Sequence, residues 1–230
     1  MHLQTAKIEK VIQETHDTRT LRLRLDNPME FKCGQFVMVK ANINGNTENR
    51  AFSISSSPIN KDFLDITVKV YPPGKVSPHL YGMKEGERIK IKGPYGTFIF
   101  DETAKEIVLI GGGSGIAPLI GMIRYCRDNG LKPNLLLIYG VRTPGDIIFE
   151  KELREFERSG IRCAFTVDQP DSNWKGFSGR MNMELITSQV KDFASSLFYI
   201  CGPPGMTELV ENGLKELNVD KDMIKTDKWL

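Results

Sequence analysis

Through the first part of the chain, apolar and polar residues alternate with a period of two. Leu21, Leu23 and Leu25 alternate with Arg22, Arg24 and Asp26, and Leu64, Ile66, Val68 and Val70 alternate with Asp65, Thr67 and Lys69. A period of two puts one set on a buried face and the other in solvent, which marks a half-buried strand. Phe36–Val39, Ala51–Ile54 and Arg88–Lys92 add further short strands. Asn27-Pro28, Asn44-Gly45, Pro72-Pro73-Gly74 and Gly86 break the chain between them. Many short strands with little helix predict a closed antiparallel β-barrel of Greek-key type. Near residue 103 the texture changes. Ile107–Ile110 and Leu135–Tyr139 are unbroken apolar runs, and Arg162–Val167 and Leu197–Ile200 are two further strands. Helical patterns over Pro118–Arg127, Phe149–Arg158 and Met206–Leu217 alternate with them. Continuous apolar strands between helices predict a Rossmann-like α/β domain, its parallel sheet covered on both faces. The expected division is a barrel domain over 1–102 and an α/β domain over 103–230.

Composition narrows the function classes. A chain of 230 residues is ample for two domains. Its 31 basic and 29 acidic residues leave a net charge of +2, which gives no electrostatic case for a nucleic-acid or anionic-membrane partner. Met1–Thr5 leads straight into strand-like sequence without the regions of a secretory signal, and the longest apolar runs are far too short to span a bilayer. The expected location is therefore the cytoplasm. Cys33, Cys126, Cys163 and Cys201 lack the close spacing that metal and iron–sulfur sites use. Free thiols and no metal site are expected.

Glycine-rich and mixed polar segments carry the chemistry. Arg50-Ala51-Phe52-Ser53 places a guanidinium, an aromatic ring and a hydroxyl within four residues. On a strand, Arg50 and Phe52 face one way and Ala51 and Ser53 the other. The guanidinium matches phosphate oxygens bidentately, the ring stacks on a flat heterocycle, and the hydroxyl can hydrogen-bond a flavin nitrogen. Tyr71-Pro72-Pro73-Gly74-Lys75-Val76-Ser77-Pro78 breaks a strand and opens a short helix, with Ser77 expected as its N-cap and Pro78 at the first helical position. Free backbone N–H groups there suit phosphate. Gly93–Phe98 reads as a third glycine-rich turn. Gly113-Ser114-Gly115-Ile116-Ala117-Pro118 lies between a strand and a helix, the setting in which a glycine turn holds a dinucleotide pyrophosphate. Cys201-Gly202-Pro203-Pro204-Gly205-Met206 ends the fourth strand of the α/β half, where open parallel sheets bind ligands.

Five motifs stand in order: R-x-[YF]-S at Arg50–Ser53, G-x-x-S at Gly74–Ser77, G-P-x-G-x-F at Gly93–Phe98, G-x-G-x-x-P at Gly113–Pro118 and C-G-P-P-x-M at Cys201–Met206. With them the chain resembles the ferredoxin–NADP reductase family over essentially its whole length. That resemblance implies FAD in the barrel, although some members hold FMN. It implies that Arg50 contacts the flavin phosphates, that Phe52 lies against the isoalloxazine beside Ala51, and that Ser53 approaches its N5. Gly74, Val76 and Ser77 would cradle the pyrophosphate. The usual stacking residue is Tyr, so Phe52 keeps the stack and loses one hydroxyl. On the nicotinamide side, Gly113–Pro118 with Gly202, Pro203 and Met206 would hold the dinucleotide, and Cys201 would lie beside the nicotinamide C4. Ser53 and Cys201 are thus the expected catalytic residues. Asp227 and Trp229 would fill the roles of the acid and the aromatic that relatives often carry at the C-terminus.

The donor is read at the next strand ends. Tyr139-Gly140-Val141-Arg142-Thr143 carries no acid for ribose hydroxyls, and Arg142 could meet a 2′-phosphate, favouring NADPH. Asp168 stands where many NADPH-using relatives place a Ser-Arg pair, and it would repel that phosphate. Asp146-Ile147-Ile148-Phe149 looks more like NADH-using relatives, which tips the expectation toward NADH. The function implied is hydride transfer from a nicotinamide to bound FAD, then electron transfer to a protein acceptor such as a ferredoxin, an oxygenase or a partner subunit. Two alternatives stay open. One is a flavin-bearing subunit of a larger complex of dihydroorotate dehydrogenase or hydrogenase type. The other is a free-flavin reductase, against which the Gly74–Ser77 motif argues.

Overall fold

The computed structural model describes residues 3–228. The chain forms two compact units. One holds the chain up to Phe100 together with Ile120–Gly130, and the other holds Asp101–Leu119 and the chain from Leu131 onward.

The first unit is built from β1 (Leu3–Thr15), β2 (Thr18–Leu25), β3 (Phe36–Ile43), β4 (Asn46–Ser53), β5 (Phe63–Lys69), a short helix α1 (Val76–Gly82) and β6 (Arg88–Tyr95). The strands form one six-stranded sheet in the order β4-β3-β6-β1-β2-β5. An antiparallel bridge between Ile54 and Ile66 links its outer strands, and the Ser55 N–H donates to the Asp65 carbonyl at 2.9 Å. The sheet therefore closes on itself. The period-two residues meet inside it: Leu21 opposes Ile66, Leu23 opposes Leu64, and all four are fully buried. The polar set departs from the simple alternation. Asp65 and Thr67 are only 2% and 5% exposed. Arg22 donates twice to the Asp65 carboxylate, at 2.9 and 3.0 Å. Arg124, from Ile120–Gly130, lies 4.0 Å from the same carboxylate and donates to the Ser55 carbonyl at 2.7 Å. Arg124, a helical residue distant in sequence, thus helps to cover a strand position that a period of two assigns to solvent.

The second unit contains β7 (Glu106–Gly112), the start of α2 (Ile116–Asp128), β8 (Asn134–Val141), α3 (Glu150–Arg158), β9 (Arg162–Val167), β10 (Phe177–Ser178), α4 (Met183–Gln189), β11 (Ser196–Gly202), α5 (Pro204–Glu216) and β12 (Ile224–Lys228). Its six strands run parallel in the order β10-β9-β8-β7-β11-β12. From β7 the chain adds β8, β9 and β10 on one side, then crosses to add β11 and β12 on the other. The order therefore reverses between β7 and β11, and such a switch point leaves a crevice at the strands' carboxyl ends. Val108, Ile110, Ile138, Phe198 and Ile200 fill one face of the sheet against Leu185, Ile186, Val210 and Leu214.

Several boundaries differ from the sequence reading. α1 begins at Val76 with Lys75 at its N-cap, and no side chain caps it, so Ser77 is the second helical residue rather than the cap. The reason is the tight turn before it. The Gly74 N–H donates to the Tyr71 carbonyl at 2.8 Å, and Lys75 already has helical dihedrals. Pro78 still falls in the first turn, where its missing N–H goes unneeded. Gly93, Pro94 and Tyr95 complete β6 rather than forming a turn. α2 starts at Ile116 after a one-turn 3₁₀ segment over Gly113–Gly115, two residues earlier than the Pro118 start read from sequence. All four cysteines are free thiols. No helix among the described residues is long and apolar enough to cross a membrane.

Candidate flavin and dinucleotide sites

The switch point of the α/β unit brings two sequence motifs together. Gly111 on β7 pairs with Cys201 on β11, so the turns that follow these strands lie side by side. Glycine is required there for space. A Cβ on Gly115 would fall inside the van der Waals shell of the Cys201 carbonyl oxygen. A Cβ on Gly112 would sit 2.6 Å from the Met206 sulfur and 2.9 Å from Pro203, and one on Gly202 would sit 3.0 Å from the Gly112 nitrogen. Missing side chains are what let the two backbones touch. Tyr139, fully buried on β8, donates its hydroxyl to the Gly113 carbonyl at 2.8 Å and fixes the turn from below. In the sequence alone, Tyr139 reads only as a strand end. Ile116 and Ala117 are buried, and Ser114 is half-buried at the turn. A glycine turn opening a helix of thirteen residues offers N–H groups and a favourable dipole to an anion, which fits a dinucleotide pyrophosphate.

The C-terminal residues form an edge strand rather than a loose tail. β12 pairs in parallel with β11, and Asp227 is the register partner of Cys201. The Cys201 thiol, itself fully buried, donates to the Asp227 carboxylate with a sulfur–oxygen distance of 3.8 Å. Burial raises the Asp227 carboxyl above its ordinary value, and the thiol hydrogen bond opposes that rise. Cys201 and Asp227 are thus one hydrogen-bonded pair at the carboxyl ends of β11 and the edge strand β12. Trp229 lies outside the described residues.

At the donor end, the backbone ladder continues past β8 and β9. The Asp168 N–H donates to the Val141 carbonyl at 3.0 Å, and the Gln169 N–H donates to the Arg142 carbonyl at 2.7 Å. Arg142 and Asp168 therefore sit at neighbouring strand ends, Arg142 exposed and Asp168 half-buried. A third residue joins them. Arg180 places its Nε 3.3 Å from the Asp168 carboxylate, with its side chain 86% exposed. Twelve positions separate the two in sequence, and only the return of the chain through β10 brings them together.

In the barrel, β4 lies at one end of the strand order and pairs with β3. Phe52 opposes Val37 and Arg50 opposes Val39, while Ser53 opposes Phe36. The strand departs from a simple period of two, because Arg50 and Phe52 share a parity and differ in burial. Phe52 turns into the barrel core and is 9% exposed, Arg50 and Ala51 are exposed, and Ser53 is half-buried. Arg50 makes no ion pair among the described residues. An exposed, uncommitted guanidinium three residues from an accessible serine hydroxyl fits a flavin with its phosphates. Gly74 is exposed, Ser77 half-buried, and Val76 buried in the barrel core.

The comparisons with known proteins agree with this geometry. The oxidoreductase FAD-binding domain family matches residues 5–100, and the oxidoreductase NAD-binding domain family matches residues 109–212. The chain is 34% identical over 220 residues to the glycine betaine monooxygenase reductase subunit of Chromohalobacter salexigens, over 92% of this chain and 60% of that protein. It is 30% identical over 234 residues to the reductase component of propane 2-monooxygenase from Gordonia sp., over 98% of this chain and 67% of that protein. The FAD/NAD-binding domain of nitric oxide dioxygenase from Vibrio cholerae has the same fold, with a TM-score of 0.91 at 22% identity over 98% of each chain. The fold and sites define a two-domain oxidoreductase with an FAD-binding and an NAD-binding domain. The chain belongs to the ferredoxin–NADP reductase family. It spans 60% of the length of the glycine betaine monooxygenase reductase subunit.

Proposed function

We propose that the protein is an NADH-dependent flavoprotein reductase that delivers electrons to a protein acceptor. The observation that carries this reading is the switch-point contact of Gly112 and Gly115 with Cys201–Met206, in a chain whose barrel presents Arg50 and Ser53. Bound FAD would supply two-electron acceptance from a nicotinamide and release to one-electron partners, chemistry that belongs to the cofactor. The protein's residues bind, orient and exclude water. Arg50 holds flavin phosphate, Gly74, Val76 and Ser77 cradle the pyrophosphate, and Phe52 and Ser53 border the ring. The turn Gly113–Pro118, with Gly202, Pro203 and Met206, positions the dinucleotide so that the nicotinamide lies by Cys201 and Asp227. Relatives bear the names of monooxygenase reductase subunits and components, which supports a protein acceptor here. Four free thiols fit a reducing compartment, and we place the protein in the cytoplasm.

Arg50→Ala tests the flavin side. It removes a charge-assisted bidentate contact worth about 1.5–3 kcal/mol, so FAD affinity should fall roughly ten- to a hundredfold while the barrel stays folded. Equilibrium dialysis of the purified variant measures it. Full retention of FAD at wild-type affinity would refute the assignment of Arg50. A wild-type protein that purifies without flavin and turns over free FMN would instead favour the free-flavin reading.

The donor assignment rests on Asp168. Its charge near the adenosine ribose disfavours a 2′-phosphate, and Arg180 partly neutralises it. The expected preference for NADH is therefore modest, about tenfold in kcat/KM, or about 1.4 kcal/mol. Asp168→Arg should raise kcat/KM for NADPH and leave NADH nearly unchanged. A wild-type preference for NADPH at matched ionic strength would reverse the assignment and make Arg142 the phosphate ligand.

A further inference from the structure

The segment that joins β5 to α1 is tied at both ends to one hairpin. β1 and β2 meet at a tight turn around His16 and Asp17. At the entry to the segment, Lys69 places its Nζ 2.7 Å from both oxygens of the Asp17 carboxylate, with its side chain only 13% exposed. The next residue, Val70, donates its N–H to the Asp17 carbonyl at 3.0 Å. The hydroxyls of Thr15 and Thr18 also donate to that carboxylate, at 2.8 and 2.9 Å. Burial alone would raise the Asp17 carboxyl, but the hydrogen bonds from Lys69, Thr15 and Thr18 outweigh it and hold it below its ordinary value.

At the exit, Tyr81 near the end of α1 is gripped on three sides. Its hydroxyl donates to the His16 carbonyl at 2.9 Å and accepts from the Gln13 amide at 3.1 Å. Its carbonyl accepts from Arg19 Nη1 at 2.7 Å, and the Arg19 guanidinium lies 4.3 Å from the centre of its ring. Gln13 in turn accepts from Arg19 Nε at 2.8 Å. Arg19 thus meets the last turn of α1 as a cation facing helix carbonyls, the favourable end of the dipole.

Between these anchors, Tyr71, Pro72, Pro73, Gly74 and Lys75 are exposed, and only Val76 and Leu80 reach the barrel core. The stretch expected to meet the flavin phosphates has little packing of its own. Ordering such a stretch on binding costs conformational entropy, and anchors that order it beforehand improve affinity. From this geometry we propose that the β1–β2 hairpin is a clamp that presets the flavin-phosphate segment, with Arg19 and Tyr81 as its positioning residues. The proposal rests on the reading that Gly74, Val76 and Ser77 hold the flavin pyrophosphate.

The test compares FAD with riboflavin, which lacks the phosphates. Wild-type protein, Arg19→Met, Arg19→Lys and Tyr81→Phe are stripped of flavin and titrated with each compound. Arg19→Met should weaken FAD about tenfold through loss of its charged hydrogen bonds, and leave riboflavin affinity unchanged. Arg19→Lys keeps the cation over the ring and should recover part of the loss. Tyr81→Phe removes one oxygen atom without emptying the site, and it should weaken FAD several-fold with riboflavin again unchanged. At saturating FAD, the rate of flavin reduction should match wild type in all three. Wild-type FAD affinity in both Arg19→Met and Tyr81→Phe would overturn the clamp, as would a parallel loss of FAD and riboflavin. A wild-type protein that binds riboflavin as tightly as FAD would overturn the placing of the phosphates, and the clamp with it.

Discussion

Gly115→Ala is expected to abolish dinucleotide binding and to destabilise the α/β unit by about 3 kcal/mol, the upper part of the range for overpacking. The reason is geometric. The new methyl group would press on the Cys201 carbonyl oxygen, and neither atom sits on a flexible side chain that could yield. Two strand ends, β7 and β11, would have to separate. Their separation would also disturb the Gly112 contact with Met206 and Pro203, and with it the turn that offers N–H groups to the pyrophosphate. The melting temperature should fall by on the order of 10 °C. In the same variant, FAD binding should survive, because the barrel is a separate compact unit with its own core. Calorimetry with flavin titration reads both effects. Wild-type stability together with wild-type NADH affinity would show that the two turns do not need this contact.

Cys201→Ala is the second large effect, and it acts on chemistry rather than on folding. The thiol is fully buried at the carboxyl end of β11 and donates to Asp227, its register partner on β12. Removing it empties a small volume beside the site proposed for the nicotinamide C4 and leaves the Asp227 carboxylate without that donor. A small displacement of a reacting carbon costs on the order of a hundredfold in rate, while remote contacts continue to hold the dinucleotide. Single-turnover flavin reduction should therefore slow about a hundredfold with NADH affinity nearly unchanged, the pattern of an interaction used in the transition state. Cys201→Ser keeps a donor to Asp227 and should fall between the two. An unchanged single-turnover rate in Cys201→Ala would remove Cys201 from the catalytic machinery.

The architecture was legible where one local rule decides it. Leu21, Leu23 and Leu25 could only be a strand with one buried face, and Ile107–Ile110 could only be a strand buried on both. The glycine turn after β7 was legible because glycines between a strand and a helix mark a pyrophosphate turn, while the close approach of β11 to it was not. What escaped was long-range. Asp65 reads as an exposed strand residue until Arg22 and Arg124 are seen around it. Ser77 reads as a cap because Ser followed by Pro usually is one, and only the turn closed by Gly74 shows the helix already begun. Arg180 is invisible as the partner of Asp168 without β10. Arg19 and Tyr81 lie 62 positions apart, and nothing in either neighbourhood announces the other. β12 is a short, mixed stretch whose strand character comes from pairing with β11 rather than from its own pattern.

The most direct test of the central proposal is anaerobic stopped-flow mixing of the purified protein with NADH and, in parallel, with NADPH, while the visible absorbance of the flavin is followed. The expected result is a protein that carries FAD and bleaches within a single turnover, about tenfold more efficiently with NADH than with NADPH. A protein with FAD bound whose absorbance neither nucleotide bleaches would contradict it.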